Sequence, residues 1–449
     1  MRDDGPLTDD LRFPLLDDQG RALLKSLREH PHGPAWNFPC GDRLTAERLA
    51  RVVDYERALE SEPRSGAGPE LPTWVVELAR RCLAEVPFYR ARGGDPERLE
   101  SIPPCSRADL VRAPWSFVPD DAPLDDLCLF FTSGTTGPRV DVLATPETAS
   151  YYLPLLRRAL ATRGVTLEGG PGRVALALVC AQQKTYTYAT ISAFLGNAGC
   201  VKVNLNPADW RDAADAVLFL EDLAPEVLTG DPVSFHVLAE SQTTLKPKAL
   251  VSSAMALSPG LTQRLEERFG CPVLDFYSTC ESGPIAVRER DSWSLLPHDL
   301  HVEILGPSGE PLPLGERGEI AVSVGRNPLL PLLRYRVGDT ARLVRHGGSL
   351  RLADFEGREP VAFRAADGRV FNNLDVSGAL RAFPLANASV LQRADGSVRV
   401  TATGLAGLEE RVRAALAALF GEGTPLELEE APESGEKRVP YASERDWLA

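Results

Sequence analysis

A run of six small residues follows an apolar stretch in the first third of the chain and could bind phosphate. Two glycines and four hydroxyl residues can form a loop whose backbone N–H groups and side chains converge on phosphate oxygens. The run lacks the Gly-Lys-Ser/Thr signature of a Walker A loop. We predict a phosphate-binding loop, and the alternative is an ordinary turn of small residues. The run consists of Thr132, Ser133, Gly134, Thr135, Thr136 and Gly137.

This run resembles the phosphate loop of the adenylate-forming superfamily of acyl-CoA synthetases, peptide-synthetase adenylation domains and luciferases. Other segments resemble the phenylacetate-CoA ligase branch of that superfamily, and their order along the chain is consistent with it. The resemblance covers residues 70–440. The segments are LAEVPFYR (83–90), SRADLVR (106–112), the stretch 250–284, GERGEIAVS (315–323) and PLLRYRVGDTARL (331–343).

The resemblance implies a nucleotide and metal site in the stretch Tyr277-Ser278-Thr279-Cys280-Glu281. The superfamily motif, Tyr-Gly-x-Thr-Glu, supplies an aromatic ring for adenine, a hydroxyl near the α-phosphate and a carboxylate for Mg²⁺. Magnesium prefers oxygen ligands, so Glu281 is the expected metal ligand and a catalytic residue. Cys280 places a weaker hydrogen-bonding group where the hydroxyl is usual. The alternative for Glu281 is a solvated loop acid.

Asp339 matches the superfamily aspartate that accepts hydrogen bonds from both ribose hydroxyls. It follows a glycine in the segment Arg334-Tyr335-Arg336-Val337-Gly338-Asp339, and a short acid at such a turn can reach a diol. The alternative is an aspartate that only forms the turn. Arg334 and Arg336 could pair with phosphate, or they could be solvated charges at the end of a strand.

Three further positions are expected to contact the nucleotide. Ser253 and Ala254 lie in the matching stretch 250–284, and Arg358 lies at the start of the domain hinge of the superfamily. Pro360 follows Arg358 by two residues, and proline fixes φ near -65°. We therefore expect a rotation about this hinge to be restricted or displaced to a neighbouring residue.

By the same resemblance, the acid-binding pocket is lined by the segment that contains Lys184, Tyr186 and Tyr188. Tyrosine rings can stack on an aromatic acid, and the lysine can pair with its carboxylate. In the alternative interpretation, the tyrosines cover a sheet edge and Lys184 is solvated. The resemblance implies that the acid is an aryl or arylacetic acid.

Lys437 is predicted to be the catalytic lysine that bridges the acid and the α-phosphate. Its surroundings resemble the C-terminal Gly-Lys-x-x-Arg-Val stretch of the superfamily, although Glu436 separates Gly435 from the lysine. Lys437 is the only lysine after Lys248 in a chain that otherwise uses arginine for most basic positions. A compact ammonium can lie between two developing negative charges where a planar guanidinium fits poorly. The alternative is a solvated tail lysine.

These residues must be positioned by several structural elements. Residues 1–125 contain amphipathic patterns, as in 73–83 and 107–111, that predict packed helices. From residue 127, short apolar runs alternate with helical segments, which predicts an α/β fold whose sheets are mostly parallel. After residue 299 the runs indicate a smaller and more antiparallel sheet. We predict a large N-terminal ATP- and acid-binding domain of several subdomains (1–357) and a small α+β lid domain (358–449).

The last domain is predicted to contain three short strands and a helix. The strands are expected at RVFNNLDV (369–376), ASVLQR (388–393) and VRVTATG (398–404), and the amphipathic helix at 408–419.

The composition excludes several classes of partner. The chain has 449 residues, with 43% hydrophobic and 25% charged, and a net charge of -14. An acidic chain without a Lys/Arg block argues against nucleic acid, and no apolar run reaches the roughly 18 to 20 residues of a membrane span. The N-terminus lacks the features of a signal peptide, so we expect a cytoplasmic protein. The eight cysteines have no zinc-ligand spacing and are expected to be free thiols.

The sequence therefore predicts an AMP-forming ligase that uses ATP and Mg²⁺ to activate a small-molecule carboxylic acid. The expected acceptor of the acyl group is a thiol, with coenzyme A as the cofactor. Two alternatives stay open at this point. The chain could pass the acyl group to an amine or to a carrier protein, or it could bind a nucleotide without turnover.

Overall fold

The computed structural model of the chain groups its residues into two compact units. The first unit consists of Met1–Thr45, Arg163–Asp275 and Pro360–Ala449, and the second consists of Ala46–Thr162 and Phe276–Glu359. The predicted domain boundary between residues 357 and 358 stays a prediction. The structure describes residues 7–61, 71–131, 140–182, 185–296, 298–356, 361–368, 370–380, 382–432, 439 and 441–445.

Four parallel strands form the centre of the first unit. Their order is Ala249–Ser253, Val227–Gly230, Val174–Cys180 and Ala198–Asn204, and the strand Tyr188–Ser192 pairs antiparallel with the last of them. The central strands are almost continuously apolar and buried. Strands covered on both faces have this character in α/β folds. The predicted α/β fold is confirmed.

Helices with well-defined ends cover this sheet. Asp231 caps the helix Pro232–Glu240 by accepting hydrogen bonds from two backbone N–H groups, and Ser258 caps the helix Pro259–Phe269 by accepting one from the N–H of Leu261. Side-chain oxygens at these positions satisfy N–H groups that have no partner within the helix. The other helices in residues 7–45 and 163–275 of this unit are Asp9–Arg12, Asp18–Arg28 and Asp215–Leu223.

The C-terminal part of the first unit has its own four-stranded sheet. The strand order is Leu426–Glu430, Val398–Thr403, Ala386–Gln392 and Tyr441–Ser443. The predicted strands 388–393 and 398–404 and the predicted helix 408–419 are confirmed, the helix as Glu409–Phe420.

The predicted strand 369–376 is wrong beyond its first residues. The strand is only Val370–Asn372, which pairs with Ala362–Arg364, and the helix Asn373–Leu380 follows at once. The short strand and the first turn of the helix together look like one apolar run in the sequence.

The C-terminal part packs closely against the helix Pro259–Phe269 within the same unit. The hydroxyl of Ser258 donates a hydrogen bond to the backbone carbonyl of Phe383 at 3.1 Å. A Cβ atom on Gly260 would lie 2.7 Å from the carbonyl carbon of Phe383, so only glycine fits there.

Antiparallel strands dominate the second unit. The short strand Cys105–Ser106 is an exception and pairs in parallel with Tyr335 and Arg336. The antiparallel pattern was predicted after residue 299, but it already begins with the strand Gly283–Glu289. Apolar periodicity reports burial and not the direction of pairing, so the sequence missed this change. In spatial order the antiparallel strands are Leu300–Leu305, Arg317–Val324, Leu332–His346, Ser349–Glu356, Ser292–Leu295, Gly283–Glu289 and Val273–Thr279.

Helices and one isolated hairpin complete the second unit. The predicted helices 73–83 and 107–111 are confirmed as Thr73–Glu85 and Arg107–Arg112. Cys128–Phe131 is the predicted strand before the small-residue run, but it pairs antiparallel with Asp141–Ala144 instead of joining the parallel sheet. None of the described helices has the length and apolar character needed to cross a membrane. The remaining α-helices among the described residues of this unit are Ala46–Ser61, Pro87–Arg92, Pro146–Ser150 and Tyr152–Ala161.

Candidate active site

A tight turn in the second unit presents Glu281. Residues 280–282 connect the strands that end at Thr279 and begin at Gly283. The backbone N–H of Ser282 donates a hydrogen bond to the Thr279 hydroxyl at 3.1 Å, and the two hydroxyl oxygens are 2.8 Å apart. These short polar contacts close the turn and fix the direction of the side chain between them.

The Glu281 carboxylate is buried and has a cationic partner. Its side chain is only 6% exposed, and its Oε1 atom accepts a hydrogen bond from Nη1 of Arg107 at 2.8 Å. The phenol of Tyr335 is also hydrogen-bonded to this carboxylate. Burial, followed by the negative charge of Glu281, raises the pKa of Tyr335 far above its ordinary value. The solvated-acid alternative for Glu281 therefore does not describe its surroundings.

Two local devices hold Arg107 next to Glu281. The strand Cys105–Ser106 pairs with Tyr335 and Arg336, so it is fixed beside the phenol that contacts the carboxylate. A capping box between Ser106 and Asp109 then starts the helix at Arg107. Such reciprocal caps stabilise the first turn of a helix. The guanidinium of Arg107 therefore extends from the capped first turn of a helix.

Asp339 leaves the regular ladder at a bulge. Strand pairing shifts register between Glu319 and Ala321, and Gly338 has a φ of 84°, which glycine adopts without strain. Bulges of this kind redirect side chains out of a sheet. Asp339 Oδ2 accepts a hydrogen bond of 2.6 Å from the Tyr277 hydroxyl.

The Tyr277 ring packs against two other aromatic rings of the protein. Its centroid is 4.5 Å from that of Phe355 and 6.1 Å from that of Trp293. Burial, and then the charge of Asp339, raises the pKa of Tyr277 well above its ordinary value. Tyr277 therefore remains a hydrogen-bond donor that orients Asp339. Its contact with adenine stays a prediction.

The other described nucleotide positions lie at strand ends. Ser278 is the last but one residue of the strand Val273–Thr279, and Cys280 is exposed in the turn that follows. In the first unit, Ser253 ends a parallel strand and Ala254 follows it with a φ of 69°. Left-handed backbone at a residue other than glycine costs about 1 to 3 kcal/mol and often occurs at functional sites. Ligands of α/β proteins bind at the carboxyl ends of parallel strands.

The predicted acid-binding tyrosines lie at the edge of the parallel sheet in the first unit. Tyr188 begins the edge strand, and Tyr186 precedes it with 52% of its surface exposed. The ring of Phe38 lies 5.1 Å from that of Tyr186 and 6.4 Å from that of Tyr188. This is the environment of the sheet-edge alternative, and contact with an acid stays a prediction.

Asn204 holds the backbone that leads to these tyrosines, and the sequence analysis did not single it out. It is fully buried, accepts a hydrogen bond from the N–H of Gln182 at 2.9 Å and donates one to the carbonyl of Gln182 at 2.8 Å. Ser234 similarly accepts a hydrogen bond from the N–H of Ala181 at 2.9 Å. These contacts fix residues 181–182 at the carboxyl end of their strand.

Arg334 has neither of its predicted roles, and Arg336 is paired with protein acceptors. Arg334 is 1% exposed, donates to Glu303 and also bonds three backbone carbonyl groups. Arg336 donates to Glu319 at 2.7 Å and to the carbonyl of Gly306. Arg334 therefore stabilises the sheet and is too buried to reach a phosphate, whereas a phosphate contact of the partly exposed Arg336 stays a prediction.

Several predicted residues lie outside the described part of the chain. Residues 132–139 connect the two strands of the hairpin Cys128–Phe131 and Asp141–Ala144. The positions concerned are Thr132, Ser133, Gly134, Thr135, Thr136, Gly137, Lys184, Arg358, Pro360 and Lys437.

The donor set around Glu281 fits a metal that arrives with a nucleotide. No group of three or more His, Cys, Asp or Glu side chains suited to a metal ion occurs within the described residues. Magnesium is commonly held by one or two carboxylates together with substrate phosphates and water. One buried carboxylate is enough for that arrangement, so Glu281 fits Mg²⁺ only in the presence of phosphate oxygens.

Comparisons with known proteins identify the family to which the sequence is similar. The family of AMP-binding enzymes matches residues 51–327. Phenylacetate-coenzyme A ligase of Thermus thermophilus is 26% identical over 312 residues, which are 64% of this chain and 67% of that protein. The protein of that name from Pseudomonas putida is 25% identical over 329 residues, or 65% of this chain and 71% of its own.

A solved structure has a similar fold. The crystal structure of 2-hydroxyisobutyryl-CoA ligase with 2-HIB-AMP, in the postadenylation state, gives a TM-score of 0.61. The sequence identity is 15%, and the match covers 89% of this chain and 90% of that chain. At this identity the likeness concerns the fold alone.

Proposed function

Because the chain belongs to the AMP-binding enzyme family and to its phenylacetate-CoA ligase-like branch, we propose that it activates a carboxylic acid with ATP. The products of the first step are an acyl-adenylate and pyrophosphate. The second step transfers the acyl group to the thiol of coenzyme A. The names of the relatives, which are CoA ligases of phenylacetate, support this acceptor and an aryl or arylacetic acid as the substrate.

One observation carries the proposal. Tyr277 and Glu281 lie on one strand and the turn after it, and the Tyr277 hydroxyl is 2.6 Å from Asp339. The second unit thus supplies the aromatic ring of Tyr277, a hydrogen-bond acceptor for ribose hydroxyls in Asp339 and the buried carboxylate of Glu281. These are the groups that a metal-bound nucleotide requires.

In the first step, a carboxylate oxygen of the acid attacks the α-phosphorus, and the bond from that phosphorus to the departing pyrophosphate oxygen breaks. Asp339 holds the ribose hydroxyls, and Tyr277 holds Asp339 in the accepting orientation. Glu281 would hold Mg²⁺, which when bound would supply positive charge for the phosphates. Lys437 and the loop 132–137 act on the phosphates and the attacking acid. Catalysis here is mainly positioning and charge stabilisation.

In the second step, the thiol sulfur attacks the carbonyl carbon of the acyl-adenylate and AMP leaves. The proposal assigns nucleotide and acid binding to residues 1–357 and a lid role to residues 358–449. Tyr186 and Tyr188 are proposed to contact an aromatic acid, with Phe38 beside them in the first unit. Lys184 is proposed to pair with its carboxylate.

A pyrophosphate-release assay over aryl, arylacetic and aliphatic acids tests the first step. We expect release only with ATP, Mg²⁺ and an acid, and fastest release with an aromatic acid. Glu281→Gln is expected to reduce the rate by orders of magnitude while the protein stays folded, because the variant removes the charge that holds the metal. An unchanged rate of Glu281→Gln at limiting Mg²⁺ would remove this residue from the site.

The acceptor is tested separately by titration with coenzyme A and mass detection of the thioester. Acyl-adenylate formation without a thioester would favour an amine or a carrier protein as the acceptor. Calorimetric binding of ATP without pyrophosphate release for any acid would instead indicate a nucleotide-binding protein without turnover. Cys280, in place of the usual hydroxyl, is the residue that motivates this last outcome.

A further inference from the structure

The ion pair between Arg107 and Glu281 involves one of the two oxygens of the carboxylate expected to bind the metal. Oε1 of Glu281 is 2.8 Å from Nη1 of Arg107, and the carboxylate is 6% exposed whereas the arginine side chain is 36% exposed. A buried carboxylate without a counter-charge is strongly unfavourable. Arg107 therefore compensates Glu281 in the protein without nucleotide.

The arrangement makes the arginine the more movable partner. Glu281 is fixed in a three-residue turn by the contacts of Thr279 and Ser282, and Tyr335 also bonds its carboxylate. Arg107 reaches it from the first turn of a helix, by a long side chain that is partly in solvent. A guanidinium can move away by rotation of its side chain while the helix stays in place.

We propose that Arg107 is an internal counter-ion that the metal–nucleotide complex displaces from Glu281, and that it thereby sets how strongly nucleotide binding depends on Mg²⁺. The inference rests on the proposed function, because it assumes that a nucleotide-bound metal reaches Glu281. Two cations then share the charge of one buried carboxylate, so the presence of Arg107 weakens the contribution of the metal to nucleotide binding. Arg107 is a positioning residue in this proposal and not a catalytic one.

The direct test is calorimetric binding of α,β-methylene-ATP, first with Mg²⁺ and then with EDTA. The dissociation constant with EDTA divided by that with Mg²⁺ measures the contribution of the metal to binding. This ratio needs no turnover. Arg107→Met removes the competing cation, so we expect this ratio to rise about tenfold, whereas Arg107→Lys should keep it near the wild-type value. An equal or smaller ratio in Arg107→Met would overturn the proposal.

A second comparison keeps the test valid if Arg107→Met folds poorly. In a Glu281→Gln background no charge remains to be compensated, so adding Arg107→Met should leave the ratio unchanged. A purely structural role of Arg107 would change nucleotide binding in both backgrounds, and a changed ratio in the Glu281→Gln background would contradict the proposal. Arg112→Met is the matched control, because Arg112 lies on the same helix, is 71% exposed and pairs with Asp109. Its ratio should equal that of the wild type.

The two possible failures can be told apart. If the wild-type protein binds no α,β-methylene-ATP with Mg²⁺ and releases no pyrophosphate, the proposed function fails. If the wild-type protein binds the nucleotide in a metal-dependent manner but Arg107→Met leaves the ratio unchanged, only the inference about Arg107 fails.

Discussion

Asp339 is oriented by a hydrogen bond from another side chain of the protein. The Tyr277 hydroxyl donates to it at 2.6 Å, and the bulge at Gly338 turns it out of the ladder. We predict that Asp339→Ala raises the KM for ATP by a factor equivalent to about 1.5 to 3 kcal/mol, because two hydrogen bonds to a charged acceptor are lost. Steady-state kinetics with varied ATP measures this effect.

Tyr277→Phe provides the matched variant for this prediction. It keeps the ring packed against Phe355 and Trp293 but removes the donor to Asp339. The KM for ATP should then rise less than in Asp339→Ala, by a factor equivalent to about 0.5 to 1.5 kcal/mol. Equal ATP affinity in Asp339→Ala and the wild type would return Asp339 to a turn-forming role.

Arg334 illustrates a different use of a charged residue. Its guanidinium is buried and bonds Glu303 and three carbonyl groups. We predict that Arg334→Met lowers the free energy of unfolding by about 3 to 5 kcal/mol, because Glu303 would be left as an uncompensated buried charge. Urea denaturation measures the loss.

The control for Arg334 is an exposed ion pair in the same sheet. Arg342 and Asp354 are 41% and 54% exposed, so Arg342→Met should change the stability by less than about 1 kcal/mol. Similar losses of unfolding free energy in the two variants would show that burial does not increase the contribution of the Arg334 pair to stability.

Residue types could be matched to a motif from the sequence, but their partners could not. Tyr277, Glu281 and Asp339 were found by local pattern, and two of them prove to lie in direct contact. Arg107 was not found, because nothing in the spacing links it to a residue 174 positions later. Arg334 was misinterpreted because burial of a guanidinium depends on carbonyl groups from distant segments.

At the level of elements, the segment before the edge strand depends on Asn204. The side chain bonds both the N–H and the carbonyl of Gln182, as a neighbouring strand would. If this segment contacts the acid, Asn204→Ala should raise the KM for the acid about tenfold while the KM for ATP stays within about twofold, since lost hydrogen bonds of this kind are worth about 1 to 1.5 kcal/mol. Kinetics with each substrate varied separately gives both values.

Asn206 offers a graded comparison for this element. Its amide donates to the same Gln182 carbonyl, at the longer distance of 3.2 Å, so Asn206→Ala should have a smaller effect on the acid KM. A parallel rise of both KM values in Asn204→Ala would mean general loss of structure. An unchanged acid KM would place the acid elsewhere.

Elements were predictable where burial alone decides them. The strand Val174–Cys180 is covered on both faces and was visible as an apolar run, as was the helix Glu409–Phe420 with its buried face. Pairing direction was not predictable. The strand Cys128–Phe131 joins a separate hairpin, and Gly283–Glu289 pairs antiparallel, because cross-strand partners are set by connections outside the local pattern.

At the scale of the whole molecule, each compact unit is assembled from separate stretches of the chain. The first unit uses three stretches and the second uses two. A sequence read in order favours a single boundary between contiguous domains, such as the one predicted after residue 357. Units built from distant stretches require long-range contacts, and these leave no periodic signal.

The stability of the whole protein should depend on the protonation of His301. Burial, and then the charge of Arg334, lowers the pKa of His301 to about 4. At His301 the unfolded chain, with a His pKa near 6.5, therefore binds more protons than the folded protein between about pH 4 and pH 6.5. We predict that the titration of His301 contributes a fall of about 1 to 3 kcal/mol in the free energy of unfolding as the pH is lowered through this window, and that His301→Gln removes this contribution.

Urea denaturation at several pH values between 4 and 7 provides the measurement. Asp42 serves as a comparison of opposite sign, because burial raises its pKa to about 6. At Asp42 the folded protein binds more protons than the unfolded chain between about pH 4 and 6. This site therefore lowers the free energy of unfolding as the pH rises, and Asp42→Asn should remove that contribution. An identical pH dependence of His301→Gln and the wild type would contradict the assignment to His301.

The complete reaction is expected to need different parts of the chain for its two steps, and Lys437 tests this. Lys437 is proposed to bridge the acid carboxylate and the α-phosphate, a task that belongs only to the first step. We predict that Lys437→Ala reduces pyrophosphate release by orders of magnitude but spares thioester formation from a chemically supplied acyl-adenylate. Because the proposed role requires a compact ammonium, Lys437→Arg should also have a low rate of pyrophosphate release. Full pyrophosphate release by Lys437→Ala would leave a solvated tail lysine as its role.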